Sequence, residues 1–156
     1  MNQPKIVVGI NGSMASQAAL RWAAAEGLLR GARVEAVYAW EWTGGLHAHY
    51  APIASRTSRE DEHKAALDIA GQAVAEVGER HVEPVVVEGP PAQVLLRATE
   101  SADLLVLGAH ETESEPYPVL NPVVSACLLR ARCPVVVVLP GMEHDRRVGM
   151  LAGSRA

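Results

Sequence analysis

Short runs of branched aliphatic residues alternate with longer alanine-rich segments along this chain. Five runs predict β-strands: Lys5 to Ile10, Arg33 to Trp40, Val82 to Glu88, Asp103 to Leu107, and Pro134 to Leu139. Strands that alternate with helices favour parallel pairing through crossover connections. Most of these runs are continuously apolar, as in strands that helices cover on both faces. The pattern predicts an α/β fold with a doubly wound, fully buried parallel sheet.

Four helices are predicted from their end signals. They run from Ser13 to Gly31, from Thr57 to Gly78, from Pro90 through Ala98, and from Asn121 to Ala131. Ser13 and Asn121 are typical N-cap residues, and Glu60, three positions after Thr57, predicts a capping box. The helical spacing of apolar positions predicts the packing face of the first helix. Its members are Leu20, Ala24, Gly27 and Leu28.

The composition fits one domain. The chain has 156 residues, of which 49% are hydrophobic, and this is enough for one sizeable core. We expect a single domain over residues 1–140, followed by a polar, flexible tail over residues 141–156. The net charge is −4 and the basic residues are scattered, which argues against nucleic acid as a partner.

The sequence also bears on the compartment. No run approaches the roughly 18 apolar residues of a membrane span, and the amino terminus enters a strand pattern without a signal-peptide core. We therefore expect a cytoplasmic protein with no membrane partner. Cys127 and Cys133 suit two reduced, buried thiols better than a disulfide. A zinc site is disfavoured because no second Cys or His pair stands at ligand spacing.

Three segments carry a family resemblance. They are Ile6 to Ser13 (IVVGINGS), Val86 to Pro91 (VVEGPP) and Cys133 to Val138 (CPVVVV). In their order and spacing, together with the alternating strands and helices, they closely resemble the universal stress protein family, bacterial type. The resemblance covers about residues 4–139. It implies a five-stranded parallel sheet of order 3-2-1-4-5 in a Rossmann-like three-layer sandwich, and a cytoplasmic homodimer that pairs the last strands.

The resemblance also implies where a nucleotide would bind. Nucleotide-binding members carry an Asp after the first strand and a Gly-x2-Gly-x9-Gly-Ser/Thr loop for the phosphates. In this chain the Asp position is Asn11, and Gly108 matches the first glycine of the loop. Glu111 stands at the second glycine, Asn121 at the third, and Pro122 at the hydroxyl position.

These departures work against a phosphate site. Glu111 adds bulk and negative charge where a glycine amide would approach phosphate, and Pro122 has neither a hydroxyl nor an N–H group. No Lys or Arg occurs between Arg97 and Arg130, whereas five acidic residues do: Glu100, Asp103, Glu111, Glu113 and Glu115. The three glutamates of the loop could instead be solvated and complement the amino end of the fourth helix. A bound cation could also reverse their effect.

The adenosine half of the crevice is better preserved by resemblance. Ile10, Asn11, Ala39, Gly89 and Gly108 align with family positions around the base and ribose, so that adenine or another flat ligand could enter. Two tryptophans follow the second strand, at positions 40 and 42. We expect them to pack under the loop at Gly44–Gly45 rather than to stack on a ligand.

The sequence gives little support for an enzyme. The pair His47 and His49 could share a metal only with a third ligand from elsewhere, and exposed loop histidines, His110 among them, are the simpler interpretation. Ser13 is better explained as an N-cap than as a nucleophile, since no activating base is identifiable beside it. We expect no catalytic residue and no metal.

The sequence therefore predicts a non-enzymatic, homodimeric protein of stress-linked regulation or partner binding. Its protein partner is not identified, and ATP binding is lost or much weakened. The alternative is a sensor that binds an adenine nucleotide (ATP, AMP or cyclic AMP). The apolar strand Val135 to Val138 is expected at a sheet edge that invites a second copy of the chain, although the carboxyl-terminal tail could cover it instead.

Overall fold

The computed structural model describes residues 2–42, 58–110 and 120–141. Its five strands form one parallel sheet in the order β3-β2-β1-β4-β5, as expected. The bounds are β1 Lys5–Ile10, β2 Arg33–Trp40, β3 Val82–Glu88, β4 Leu104–Gly108 and β5 Val135–Val138. The first three strands match the predicted bounds, whereas β4 is shifted by one residue and β5 is shorter by one residue at each end. The predicted fold is confirmed.

Four helices connect the strands: α1 Met14–Arg30, α2 Arg59–Val77, α3 Pro91–Ala98 and α4 Pro122–Arg130. Ser13 caps α1 by accepting a hydrogen bond from the Ser16 backbone. Gly31 ends this helix in the left-handed region, at φ 62°, which a residue without a side chain adopts freely. Asn121 caps α4, and Pro122 occupies its first position. None of these helices is long and apolar enough to cross a membrane within the described residues.

The start of α2 corrects the sequence prediction by one residue. The N-cap is Ser58 rather than Thr57, and its capping-box partner is Asp61 rather than Glu60. The Ser58 hydroxyl accepts from the Asp61 backbone at 3.1 Å, and the Asp61 carboxylate accepts from the Ser58 backbone at 3.0 Å. This backbone hydrogen bond is the main reason why the pKa of Asp61 lies below its usual value.

The core has two parts, one on each face of the sheet. Alternate residues of β1 illustrate the division, because Ile6 and Val8 belong to the cluster beneath α1 and α2, whereas Val7 belongs to the cluster beneath α3 and α4. Val7, Val8 and Leu105 are fully buried in the two central strands β1 and β4. This arrangement is the three-layer sandwich that was expected.

The expectation of a fully buried sheet is wrong at the edges. In β3, Val87 remains 38% exposed, because α2 packs on one face of this strand while α3 packs mainly on β2 and α4. The predicted packing face of α1 is also wrong at one position. Leu28 is 56% exposed, although Leu20, Ala24 and Gly27 are buried.

Both cysteines are free thiols. Cys127 is fully buried in the cluster beneath α3 and α4, and burial raises the pKa of its thiol. Cys133 is only partly buried, contrary to the prediction, and burial followed by the nearby Asp103 carboxylate raises the pKa of its thiol. Both shifts favour the protonated, unreactive form.

One buried hydroxyl ties the end of α3 to the connection before β5. Thr99 is 1% exposed, and its hydroxyl donates to the Leu96 carbonyl at 2.6 Å while accepting from the Arg132 backbone at 3.1 Å. The two hydrogen bonds hold segments that are 33 positions apart in the chain. Thr99 thereby fixes how α3 and α4 sit beside each other under the sheet.

We predict that Thr99→Val lowers the free energy of unfolding by about 1 kcal/mol, because the part-buried hydrogen bond from the Arg132 N–H loses its acceptor. Urea unfolding monitored by circular dichroism measures this loss. Thr99→Ser keeps the hydroxyl and is the control, expected to lose less than the valine variant. Equal stability of the valine variant and the wild type would contradict this role of Thr99.

Candidate functional site

A crevice opens at the carboxyl ends of β1, β2 and β4. The sheet order reverses here, because the loop after β1 leads to α1 on one face and the loop after β4 leads towards α4 on the other. In doubly wound sheets this switch point is the usual ligand site. The crevice has a volume of about 140 Å³, and its inner walls are apolar, formed by Val37, Leu95, Leu107, Val123 and Val124.

The structure brings most of the predicted site residues together. Five of them line the crevice: Ile10, Asn11, Ala39, Gly108 and Asn121. Gly89 lines a neighbouring groove instead. Pro122 is the first residue of α4 and is not among the lining residues of the crevice, and Glu111 lies outside the described residues. Glu113, Glu115, His47 and His49 also lie outside them.

In the turn between β1 and α1, the polar side chains form hydrogen bonds with one another and with the backbone of the turn. The side-chain oxygen of Asn11 accepts from the Ser13 backbone at 3.0 Å, and the Ser13 hydroxyl accepts from the Ser16 backbone at 3.1 Å. The Ser16 hydroxyl donates to the Ser13 carbonyl and accepts from the Asn11 backbone. Ser13 therefore acts as the predicted N-cap. The use of the Asn11 oxygen within the turn was not predicted, although Asn commonly bonds the backbone two residues on.

The entrance of α4 is closed in the same way. The Asn121 side-chain oxygen accepts from the Val124 backbone at 2.9 Å, and the Asn121 carbonyl accepts from the Ser125 backbone at 3.0 Å. Pro122 has no N–H group. In the first turn of α4 this leaves the Val123 N–H as the donor that no described hydrogen bond occupies. A helix entrance of this kind offers an anion far fewer donors than usual.

The charges of the crevice are equally sparse. Its described lining contains no Lys or Arg, and His110 is the one side chain in this lining that can carry a positive charge. His110 lies exposed directly after Ala109, at the mouth of the crevice. Among the described residues, no group of three His, Cys, Asp or Glu side chains is placed to hold a metal ion. The crevice thus presents amide, hydroxyl and imidazole groups around an apolar interior.

Two glycines shape the crevice by packing. A methyl group on Gly108 would lie 2.2 Å from the Ala15 carbonyl oxygen, so β4 approaches the first turn of α1 backbone to backbone. A methyl group on Gly9 would lie 2.8 Å from Leu107 and 3.0 Å from Leu95. Gly9 was not singled out from the sequence, although a glycine inside an apolar strand often marks such a close approach. Gly108 is therefore required by the fold whether or not a phosphate binds.

Trp40 does not belong to the crevice. Its ring stacks on His63 of α2, with the ring centroids 5.2 Å apart and an angle of 23° between the planes. Its neighbour Ala39 lines the crevice on the opposite face of the sheet, as strand alternation requires. Trp40 thus packs on another side chain of the protein, His63. The predicted contact with the loop at Gly44 and Gly45 stays a prediction, because both glycines lie outside the described residues. Trp42 is 38% exposed.

The fold and its crevice define a doubly wound α/β protein with a candidate site at the strand switch point. Residues 3–138 match the model of the Universal stress protein family. Because this match covers most of the chain, the protein belongs to the universal stress protein family.

Individual relatives agree with this assignment. Universal stress protein Rv2623 of Mycobacterium tuberculosis is 30% identical over 156 residues, which cover 95% of this chain and 52% of that protein. The chain thus spans about half the length of the curated relatives it matches. UspA of Lactobacillus plantarum superposes with a TM-score of 0.67 at 23% identity, covering 88% of this chain and 99% of that one.

A third relative was solved with a nucleotide. The universal stress protein of Archaeoglobus fulgidus, in complex with dAMP, superposes with a TM-score of 0.58 at 26% identity. The superposition covers 87% of this chain and 97% of that one.

We predict that Gly108→Ala destabilises the protein by at least about 1–3 kcal/mol, since the added methyl group meets backbone that cannot move aside. Thermal or urea unfolding measures the change. Gly71→Ala in α2 is the matched control, because its methyl group would meet nothing within 4 Å and should stabilise the helix by up to about 1 kcal/mol. A Gly108 variant as stable as the wild type would contradict this close approach.

Proposed function

We propose that this protein is a cytoplasmic, non-enzymatic member of its family that acts in stress-linked regulation or partner binding, as a homodimer, with ATP binding lost or much weakened. One observation carries the proposal. At the entrance of α4 two donors that could face a phosphate are lost, because Pro122 has no N–H group and the Val124 N–H is bonded to the Asn121 side chain, and the Val123 N–H remains. The crevice therefore keeps the position and shape of a ligand site but has fewer N–H donors for an anion than a typical helix entrance offers.

The size of the effect can be stated. A hydrogen bond to a charged group contributes about 1.5–3 kcal/mol. Losing two such bonds, from Pro122 and from the capped Val124, weakens phosphate binding by about 3 kcal/mol or more. That corresponds to at least about two powers of ten in affinity. The described lining has no Lys or Arg that would compensate for this loss.

The same residues support a non-enzymatic role. Phosphoryl transfer depends on cationic groups or metal ions that stabilise charge on the transferred phosphoryl group. The Ser13 and Ser16 hydroxyls take part in the hydrogen bonds of the β1–α1 turn, so both have a structural role in the described residues. The crevice is therefore better suited to recognition than to catalysis.

The two edges of the sheet differ in a way that supports a dimer through β5. Val34 donates to the His81 carbonyl and Gly89 donates to the Trp40 carbonyl, so the odd-numbered residues of β3 face β2. Pro84 therefore stands at an outward position, where it removes a donor from the free edge. Two exposed glutamates also protect this strand, at positions 83 and 88.

The β5 edge has no such protection. The carbonyls of Pro134 and Val138 accept from β4, so the backbone groups of Val135 and Val137 point to the free edge. All four residues of this strand are valine, and Val135, Val136 and Val137 are partly exposed. Such an edge pairs readily with another strand, and antiparallel pairing with a second copy satisfies both.

A sensor of adenine nucleotides is the second candidate function. The Archaeoglobus relative binds dAMP, and Asn11, Ala39 and Gly108 lie together in the crevice of this chain. The apolar walls suit a flat base, and the Asn11 amide could still donate to a ligand because its oxygen alone is used in the turn. This function requires a single phosphate to bind with few backbone donors.

We predict that combining Glu111→Gly, Asn121→Gly and Pro122→Ser creates or strengthens ATP binding, because the change restores a hydroxyl and frees N–H groups at α4. Isothermal calorimetry with ATP measures the gain, expected to be at least about tenfold. The double variant Asn121→Gly with Pro122→Ser separates the helix entrance from the charge of Glu111. An unchanged ATP affinity in the triple variant would contradict the proposed obstacle.

The sensor is tested on the wild-type protein. Saturable stabilisation by AMP or cyclic AMP in a thermal-shift titration would favour the sensor, since a ligand at a hundred times its dissociation constant adds about 2.7 kcal/mol of stability. The absence of any shift at millimolar nucleotide would exclude it.

We predict that Val137→Pro weakens the homodimer at least about tenfold, because proline removes an outward N–H group while β5 stays bonded to β4 through its even-numbered residues. Analytical ultracentrifugation over a range of concentrations measures the association. Val137→Ala keeps the N–H group and is the matched control. The proposed interface would be wrong if the proline variant, folded by circular dichroism, associated as tightly as the wild type.

A further inference from the structure

A second cavity lies on the sheet face that α3 and α4 only partly cover. Because α3 packs mainly on β2 and α4, the part of β2 and β3 beside it remains open as a groove of about 310 Å³. This volume falls at the lower end of the roughly 300–1,000 Å³ typical of small-molecule sites. The groove is distinct from the crevice, and its interpretation does not depend on the proposed function.

One end of the groove is apolar. Its floor is formed by Val37 of β2 and by Val85 and Val87 of β3, and Val94 of α3 forms a wall. Val37 and Val85 are opposite each other in the strand register. Val37 and Val94 are already buried, whereas Val87 has 38% of its surface exposed, so a ligand that covered Val87 would bury apolar surface and gain binding energy.

The other end contains a lysine that is largely removed from solvent. The Lys5 side chain, at the start of β1, is only 11% exposed. Its ammonium group donates to the Ser101 hydroxyl at 2.7 Å and lies 3.5 Å from the Glu35 carboxylate. An ammonium group has three donors, so this end retains capacity for another acceptor.

The charges that line the groove leave one cation without a counter-ion. Glu35 lies between Lys5 and Arg33, with its carboxylate 3.6 Å from the Arg33 guanidinium. Glu88 is paired with Arg59 of α2. By contrast, the Arg97 guanidinium, on the α3 wall, has no ion pair among the residues that the structure describes. Both lining carboxylates are thus already neutralised, and the unmatched charge is positive.

We propose that this groove binds a small amphipathic carboxylate, such as a medium-chain fatty acid. The carboxylate lies at Arg97, with Lys5 as a second donor, and the hydrocarbon chain covers Val85 and Val87. An arginine suits this role because its guanidinium can bind both carboxylate oxygens at once. The apolar end supplies affinity through burial, and the cation selects for the acid over its neutral analogue.

Octanoate and octanol are the probes. Isothermal calorimetry on the full chain is expected to show saturable octanoate binding at millimolar or lower concentration, with octanol weaker. Arg97→Gln should weaken octanoate about tenfold and leave octanol unchanged, because a single charged hydrogen-bonding partner is removed. Arg97 is exposed, so this substitution should leave the fold intact, which circular dichroism checks.

Two further variants make the test specific. Arg130→Gln removes an exposed arginine outside the groove and should bind octanoate as the wild type does. Val87→Gln changes an exposed residue of the apolar end and should weaken octanoate and octanol alike. No saturable octanoate binding, or equal affinity of the Arg97→Gln variant and the wild type, would overturn the proposal. Equal affinity of the wild type for octanoate and octanol would also overturn it.

Discussion

A helix entrance can give its free N–H groups to a ligand or to its own cap, but not to both. In this protein the Asn121 side chain accepts a hydrogen bond from the Val124 N–H, and Pro122 removes a second donor. The helix gains a well-formed amino end, and capping of this kind is worth about 1 kcal/mol. The crevice beside it is left with fewer donors for an anion, and this supports the proposal that phosphate binding is weakened. The stability of α4 and the character of the site are therefore linked through the same atoms.

The β1–α1 turn follows the same principle. Asn11, Ser13 and Ser16 bind one another and the turn backbone, which holds the first helix over the sheet. Gly108 then allows β4 to approach this helix closely, with the Ala15 carbonyl where a methyl group would stand. These contacts preserve a crevice of the family type even though the polar groups around it serve the fold. A family-like cavity therefore does not by itself imply the family ligand.

The uneven covering of the sheet has consequences away from the crevice. Of the two edge strands, β3 is protected by Pro84 and by exposed glutamates, whereas β5 is four valines. The placement of α3 over β2 leaves part of β3 open, and the resulting groove combines an apolar end with Arg97, which has no ion pair in the described part of the chain. Burial in the centre and exposure at the edges thus divide the molecule into a stable core and two candidate interaction regions.

The sequence predicted the fold well because its signals are local and strong. Continuous apolar runs gave β1, β2 and β3 with their observed bounds, and Asn121 with Pro122 marked the start of α4. The start of α2 was missed by one residue because Thr57 and Ser58 can both cap a helix. The residue three positions after each of them, Glu60 or Asp61, is acidic and can complete a capping box. Exposure of β3 was missed because it depends on where α3 packs, which no local pattern states.

The site was harder to predict than the fold. The position of Asn11, Ala39 and Gly108 around one crevice follows from strand ends that meet at one edge of the sheet. The N-cap role of Asn121 was predicted, but that Asn11 directs its oxygen into its own turn depends on its side-chain rotamer, which the sequence does not specify. Likewise, the alternation of β2 separates Ala39 from Trp40, but the stacking of Trp40 on His63 required the tertiary position of α2.

The central proposal is that the crevice keeps the shape of a nucleotide site but binds phosphate weakly or not at all. The most direct measurement is the ratio of the affinities of the wild-type protein for ATP and for adenosine, determined by calorimetry under the same conditions. If two of the donors at α4 are lost to Pro122 and to the cap, the phosphates add little and the two affinities agree within about threefold. If ATP binds at least about tenfold more tightly than adenosine, the phosphates are held after all and the claim is wrong.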